Sequence, residues 1–182
     1  DPPAYTPESA VASAASRDGG ATPAWVLASA ARTWRFWGVA ALYLTGNYST
    51  QMLLVHQVAY LVDHGVPAMT AATVGGVVGL VSMGGKIGWG VLSDRAGREL
   101  ACTLAFGCVA ASIGVLVLAG AAPGSWLPFG YAVLIGLGYS VLSPVFPAVA
   151  SDLFAGRGFS TIYGTLYAVI CLGLAGGAWS AG

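Results

Sequence analysis

The chain of 182 residues is 57% hydrophobic and only 8% charged, and its mean hydropathy is +0.76. Because soluble domains carry about 25% charged residues, this composition excludes an ordinary soluble domain and indicates a membrane protein. Seven basic and seven acidic residues cancel to a net charge of zero, which argues against nucleic acid as a partner.

The first 34 residues form a weakly charged segment rich in proline, alanine and serine, which cannot bury a core. We interpret residues 1–34 as a cytoplasmic linker. Near its end, over about residues 24–35, we predict a short helix that lies at the membrane surface. Trp25 and Trp34 would be its interface residues, since tryptophan is enriched at the boundary between membrane and water.

Five apolar segments follow within residues 35–182, and each is near the ~20 residues that cross the hydrocarbon core of a bilayer. They cover about 36–61, 70–92, 100–120, 126–150 and 159–181. Pro144 and Pro147 predict a kink in the fourth segment, and the pair Gly173 and Gly177 predicts a close helix contact in the fifth. The expected fold is all-α and polytopic.

Basic residues predict the orientation. They lie before the first segment and near the second and fourth breaks, and the other two breaks contain no basic residue. The seven basic residues are Arg17, Arg32, Arg35, Lys86, Arg95, Arg98 and Arg157. The positive-inside rule places this side in the cytoplasm. We therefore expect a multi-pass protein of the cell membrane (inner or plasma membrane) whose first segment runs outward.

A charged hairpin separates the second and third segments. Gly90 would let the two spans approach closely, and Gly97 would turn the chain with a positive φ. Asp94 would accept hydrogen bonds at a helix N-terminus and hold Arg95 or Arg98. The alternative is an ordinary positively charged turn with no role in gating.

The spacing G-x-x-x-D-R-x-G-R of this hairpin resembles the turn between the second and third spans of each half of a major facilitator superfamily transporter. Residues 32–37 and 56–65 resemble the start and end of the seventh span in the monocarboxylate and oxalate–formate type branch. Residues 152–157 resemble the turn between the tenth and eleventh spans. The resemblance covers about residues 24–182, and Glu99 departs from it, because that pattern often has a basic residue there.

The resemblance implies five of the six spans of the C-terminal half of a secondary transporter, whose partner is the missing other half. Such transporters work by alternating access around a central site. The N-terminal half of the same type of transporter is an alternative, since it carries the same turn. A second alternative is a small, non-transporting membrane subunit that packs on a partner. The chain begins without methionine and stops after an apolar segment, so we expect a fragment.

Polar residues within the spans are candidates for a solute cavity, because uncompensated polar groups in hydrocarbon cost several kcal/mol each. Several recur at a spacing of four, which places them on one helix face. The candidates are Tyr43, Asn47, Gln51, His56, Lys86, Tyr139, Ser143, Tyr163 and Tyr167. The alternative is that these groups join helices through hydrogen bonds, which contribute only about 0.6 kcal/mol on average.

Two ionisable candidates bear on the chemistry. Lys86 lies about a turn and a half from the cytoplasmic end of its segment, so it either snorkels to the interface or contacts an anionic solute. The resemblance implies, for carboxylate transport, a cationic residue nearer the middle of a span in this half, and this sequence offers only Lys86. A small carboxylate is therefore a candidate solute. His56 lies toward the outer end of the first segment, where it would carry a proton or serve as a hydrogen-bonded structural histidine.

No motif indicates catalysis, a cofactor or a metal. Gly85-Lys86 does not complete a phosphate-binding loop, because Leu80 stands where glycine is needed and Ile87 replaces Ser or Thr. The three cysteines show no C-x-x-C spacing and resemble small buried apolar residues. We therefore expect a protein that is not an enzyme, whose partners are a small-molecule solute and membrane lipid.

Overall fold

A computed structural model of the chain describes residues 25–180, so residues 1–24 of the predicted linker, which covers 1–34, lie outside the described part. This part is helical and contains no β-strand, which confirms the all-α prediction. Its helices are α1 (Leu27–Ala30), α2 (Trp34–Asp63), α3 (Ala68–Ala96), α4 (Arg98–Ala121), α5 (Leu127–Ser140), α6 (Leu142–Phe154) and α7 (Phe159–Trp179). The predicted surface helix is limited to the four residues of α1, and Trp34 already begins α2.

Four helical stretches are long and apolar enough to cross a membrane. They are Ala68–Ala96, Arg98–Ala121, Leu127–Phe154 and Phe159–Trp179. The predicted first span corresponds to α2, which has 30 residues but a lower hydropathy, because Asn47, Thr50 and Gln51 interrupt its apolar run. The protein is therefore an all-helical membrane protein in which the first long helix is more polar than the other four stretches.

Small residues allow the closest helix contacts. A Cβ atom at Gly173 of α7 would lie 2.6 Å from the carbonyl oxygen of Leu44 in α2, and Gly177 lies equally tightly against Tyr48. A Cβ atom at Gly136 of α5 would lie 2.9 Å from the Val78 carbonyl oxygen in α3. Since lipid tails are as apolar as the side chains, such close backbone approach is what helix association in a bilayer depends on.

The fourth span is broken in two. The helix is interrupted at Val141, three residues before Pro144, rather than at the prolines themselves. Pro144 has no N–H to donate to the carbonyl of Ser140, and its ring crowds that carbonyl, so the chain opens one turn earlier. Pro147 lies inside α6.

The break transfers the chain from one packing cluster to another. Before it, Tyr131 and Ile135 of α5 are buried against α3 and α4. After it, Phe146 and Phe154 of α6 are buried against α2 and α7. The broken span thus contributes to both packing clusters. Its inner face borders the space between them.

Candidate functional site

A cavity of about 330 Å³ lies between α2, α3, α5, α6 and α7. Five residues with hydroxyl or amide side chains come from α2 and α5–α6, two tyrosines come from α7, and Lys86 comes from α3. The full lining is Asn47, Thr50, Gln51, Leu54, Lys86, Tyr139, Leu142, Ser143, Phe146, Pro147, Tyr163, Tyr167, Ile170 and Leu174. Seven of the nine residues predicted to line a cavity are therefore brought together in one place.

Lys86 lies farther from the end of its helix than the sequence predicts. The helix α3 extends to Ala96, beyond the apolar segment that was expected to end near residue 92, because Asp94 and Arg95 are still helical. Lys86 precedes Asp94, the nearest charged residue of the hairpin, by eight residues, which corresponds to roughly 12 Å along the helix. With Asp94 at the boundary of a hydrocarbon core of about 30 Å, Lys86 would lie close to the middle of that core.

Lys86 is the single charged residue among those that line the cavity. Within residues 25–180 the ion pairs are those of Arg98, and no carboxylate lies within 4.0 Å of the Lys86 ammonium. The lining also includes the amides of Asn47 and Gln51 and the hydroxyl of Ser143. The cavity therefore combines one positive charge with neutral groups that donate hydrogen bonds.

The charged hairpin forms a separate cluster around Arg98. The Arg98 Nε atom donates to Asp152 Oδ2 at 2.6 Å, and its Nη1 atom donates to Asp94 Oδ1 at 3.3 Å and to the Ser93 hydroxyl at 3.1 Å. Arg98 thus connects the start of α4 with the end of α3 and with the end of α6. The sequence left the partner of Asp94 open between Arg95 and Arg98, and it did not suggest that Asp152 would join them.

Other residues of the hairpin differ in part from the predictions. Gly97 forms the turn by itself, with φ 95°. Asp94 belongs to the last turn of α3, and no side chain caps α4, so Asp94 does not cap a helix N-terminus as expected. A Cβ atom at Gly90 would lie 3.9 Å from Pro144, which shows that Gly90 faces the broken span rather than the third span.

The family model of the Major Facilitator Superfamily matches residues 2–178, which is nearly the whole chain. The chain belongs to the major facilitator superfamily. Its members are membrane transporters of small solutes that work by alternating access, and the apolar helices agree with a multi-pass transporter embedded in lipid. A search of curated proteins finds no match.

In this superfamily member, Tyr43 does not line the cavity although it was predicted to do so. It is fully buried, its ring stacks on Phe146 with centroids 4.3 Å apart, and its hydroxyl donates a hydrogen bond to the Phe146 carbonyl. At 3.6 residues per turn, a spacing of four rotates a side chain by about 40°. Tyr43 is therefore turned by about 80° from Gln51, and it holds α6 against α2.

His56 also lies outside the cavity of the transporter. It follows Asn47 by nine residues, which places it on about the opposite side of α2. Its Nε2 atom is buried and has no hydrogen-bond partner within residues 25–180. The structure therefore separates His56 from Lys86 and from the polar groups of the cavity.

The prediction missed several apolar residues of the lining. Ile170 and Leu174 continue the face of Tyr163 and Tyr167 at spacings of three and four, and Phe146 and Pro147 continue the face of Tyr139 and Ser143. Extending each polar face by one or two helical turns would have identified them. The search for polar residues alone overlooked them, because apolar residues are expected everywhere in a membrane helix.

Proposed function

We propose that the chain is the C-terminal half of a secondary transporter and that it binds a small carboxylate in the cavity, with Lys86 as the cationic contact. The observation that carries the proposal is the position of Lys86. A lysine at the centre of a membrane helix costs about 2.5–3.5 kcal/mol in insertion experiments. A cation without a carboxylate nearby among the described residues is well suited to an anionic solute.

The groups around Lys86 support an oxyanion as ligand. The amides of Asn47 and Gln51 and the hydroxyl of Ser143 offer donors that are not ionised, so they can hydrogen-bond a carboxylate without bringing a second charge. Asn47 Nδ2 is already bonded to the Tyr43 carbonyl at 2.8 Å, which holds this side chain against α2. Gln51 has no such intrahelical bond and is the group best placed to reorient toward a ligand.

The assignment to the C-terminal half rests on the resemblance of residues 152–157 to the turn between the tenth and eleventh spans. The ion pair between Arg98 and Asp152 is in keeping with that turn lying beside the charged hairpin. The other half would close the cavity from the opposite side and would alternate with this one around the bound solute.

Reconstituted full-length protein in proteoliposomes tests the proposal. Uptake of a panel of radiolabelled monocarboxylates should be saturable and should be lost in Lys86→Met, while Lys86→Arg, which keeps the charge, should retain measurable uptake. A panel of neutral sugars and amines of similar size serves as the control. Uptake of carboxylates that is equal in Lys86→Met and wild-type protein would contradict the assignment.

A further inference from the structure

The wall of the cavity is rich in aromatic rings. Tyr139, Phe146, Tyr163 and Tyr167 all line it, together with the aliphatic side chains of Leu54, Leu142, Ile170 and Leu174. A volume of about 330 Å³ far exceeds what a carboxylate of two or three carbons needs. The cavity therefore provides an apolar, aromatic compartment in addition to the polar groups around Lys86.

The aromatic rings are held in place before any ligand binds. Phe159 stacks on Tyr163 with centroids 5.6 Å apart, and Tyr163 contacts Tyr167 at 6.3 Å with planes tilted by 44°. Phe146 is covered on one face by Tyr43. Tyr167, at the inner end of this row, is 54% exposed, so its ring surface is free within residues 25–180 to contact a ligand.

The described lining supplies one positive charge, Lys86, which can pair with one carboxylate. A second carboxylate would have to leave water for an apolar compartment in which no described residue carries a compensating charge, and this is strongly unfavourable. From the rings, the volume and the single cation, we infer that the solute is an aromatic monocarboxylate. Its carboxylate would lie at Lys86, and its ring would pack against Tyr167 and Tyr163. This inference rests on the proposed function and refines its substrate class.

A matched pair of ligands distinguishes a preference for an aromatic ring from a preference for any apolar group of similar size. Benzoate and cyclohexanecarboxylate have the same carbon count and charge, but the second has no π-system. Aromatic pairs with centroids 4.5–7 Å apart bind more strongly than their buried area alone explains, by roughly twofold to tenfold. Titration calorimetry on the full-length protein should therefore show benzoate binding tighter by about that factor. Acetate and terephthalate, which lack the ring or add a carboxylate, should bind more weakly than benzoate.

Variants of Tyr167 test whether its ring causes the preference for benzoate. Tyr167→Leu should abolish the difference between benzoate and cyclohexanecarboxylate, whereas Tyr167→Phe, which keeps the ring, should retain it. Phe129→Leu is the control, since Phe129 is 38% exposed and is not among the residues that line the cavity. Equal binding of the two probes to wild-type protein would overturn the aromatic assignment, and so would a preference that survives in Tyr167→Leu.

The same titrations distinguish this inference from the proposed function. If Lys86→Met loses both probes while wild-type protein does not discriminate between them, the carboxylate site stands and the aromatic assignment fails. If Lys86→Met binds benzoate as well as wild-type protein does, or if no carboxylate binds, the proposed function fails as well. Tighter binding of acetate or terephthalate than of benzoate would refute the aromatic monocarboxylate alone.

Discussion

Asp152→Asn should loosen the end of the broken span that lies beside the charged hairpin. The Arg98–Asp152 contact of 2.6 Å joins the start of α4 to the end of α6, whereas the Arg98–Asp94 contact of 3.3 Å stays within the hairpin. The helix α6 begins after the interruption at Val141, and Arg98 forms the ionic contact that holds its far end among the described residues.

The size of the expected effect follows from the exposure of the paired side chains and from the lengths of their contacts. The side chains of Arg98, Asp152 and Asp94 are 31%, 55% and 73% exposed, so solvent screens both pairs. Exposed ion pairs contribute typically 0.2–1 kcal/mol. We expect about 1 kcal/mol for the short pair with Asp152 and about 0.3 kcal/mol for the longer pair with Asp94. Since 1.4 kcal/mol is a factor of ten, these values correspond to roughly fivefold and less than twofold shifts in a conformational equilibrium.

Labelling of a cavity cysteine measures this shift. In full-length protein with all native cysteines replaced by alanine, among them Cys102, Cys108 and Cys171, Ser143→Cys reports access to the cavity. A membrane-impermeant maleimide applied from the cytoplasmic side should label it roughly fivefold faster with Asp152→Asn, and less than twofold faster with Asp94→Asn. Arg95→Gln is the matched control, because it removes a neighbouring cation that forms no ion pair within residues 25–180.

Salt provides an independent check. At 1 M ionic strength the Debye length falls to about 3 Å, so high salt should speed labelling of the otherwise unchanged protein and should have little effect on Asp152→Asn. Unchanged labelling in Asp152→Asn would refute the restraint. An increase of equal size in Arg95→Gln would show that the general charge of the hairpin, and not this contact, is responsible.

The orientation predicts that a cysteine at Ser125 is labelled from the outside and that a cysteine at Ala96 is not; the reverse pattern would refute both the orientation and the cytoplasmic position of the hairpin. Gln51→Leu should lower the affinity for benzoate or another bound carboxylate at an unchanged melting temperature, because a cavity amide is hydrated when no ligand is present. A lowered melting temperature with intact affinity would instead assign Gln51 to helix packing. Tyr43→Phe should behave in the opposite way, because it removes the hydrogen bond between the buried Tyr43 hydroxyl and the Phe146 carbonyl, which contributes about 0.5–1.5 kcal/mol. Thermal unfolding with and without ligand measures both variants.

The membrane location, the helical fold and the family could be predicted from the sequence, because each depends on local properties. A run of about 20 apolar residues must form a helix in lipid wherever it lies in the bundle. The charged hairpin is likewise a contiguous motif, and Gly97 makes the turn at the expected residue. A kink in the fourth span could also be predicted, because proline removes a hydrogen-bond donor in any helix.

The membership of the cavity was decided by the tertiary structure. Tyr43, Asn47 and Gln51 share a helix face in projection, yet the rotation of about 40° at each step turns Tyr43 onto Phe146 and leaves the other two at the cavity. The depth of Lys86 depends on where α3 ends, and hydropathy could not show that the helix continues through Asp94 and Arg95. The pairing of Arg98 with Asp152 joins residues 54 positions apart. Such contacts depend on how the helices pack, and a linear pattern records only which face a residue occupies on its own helix.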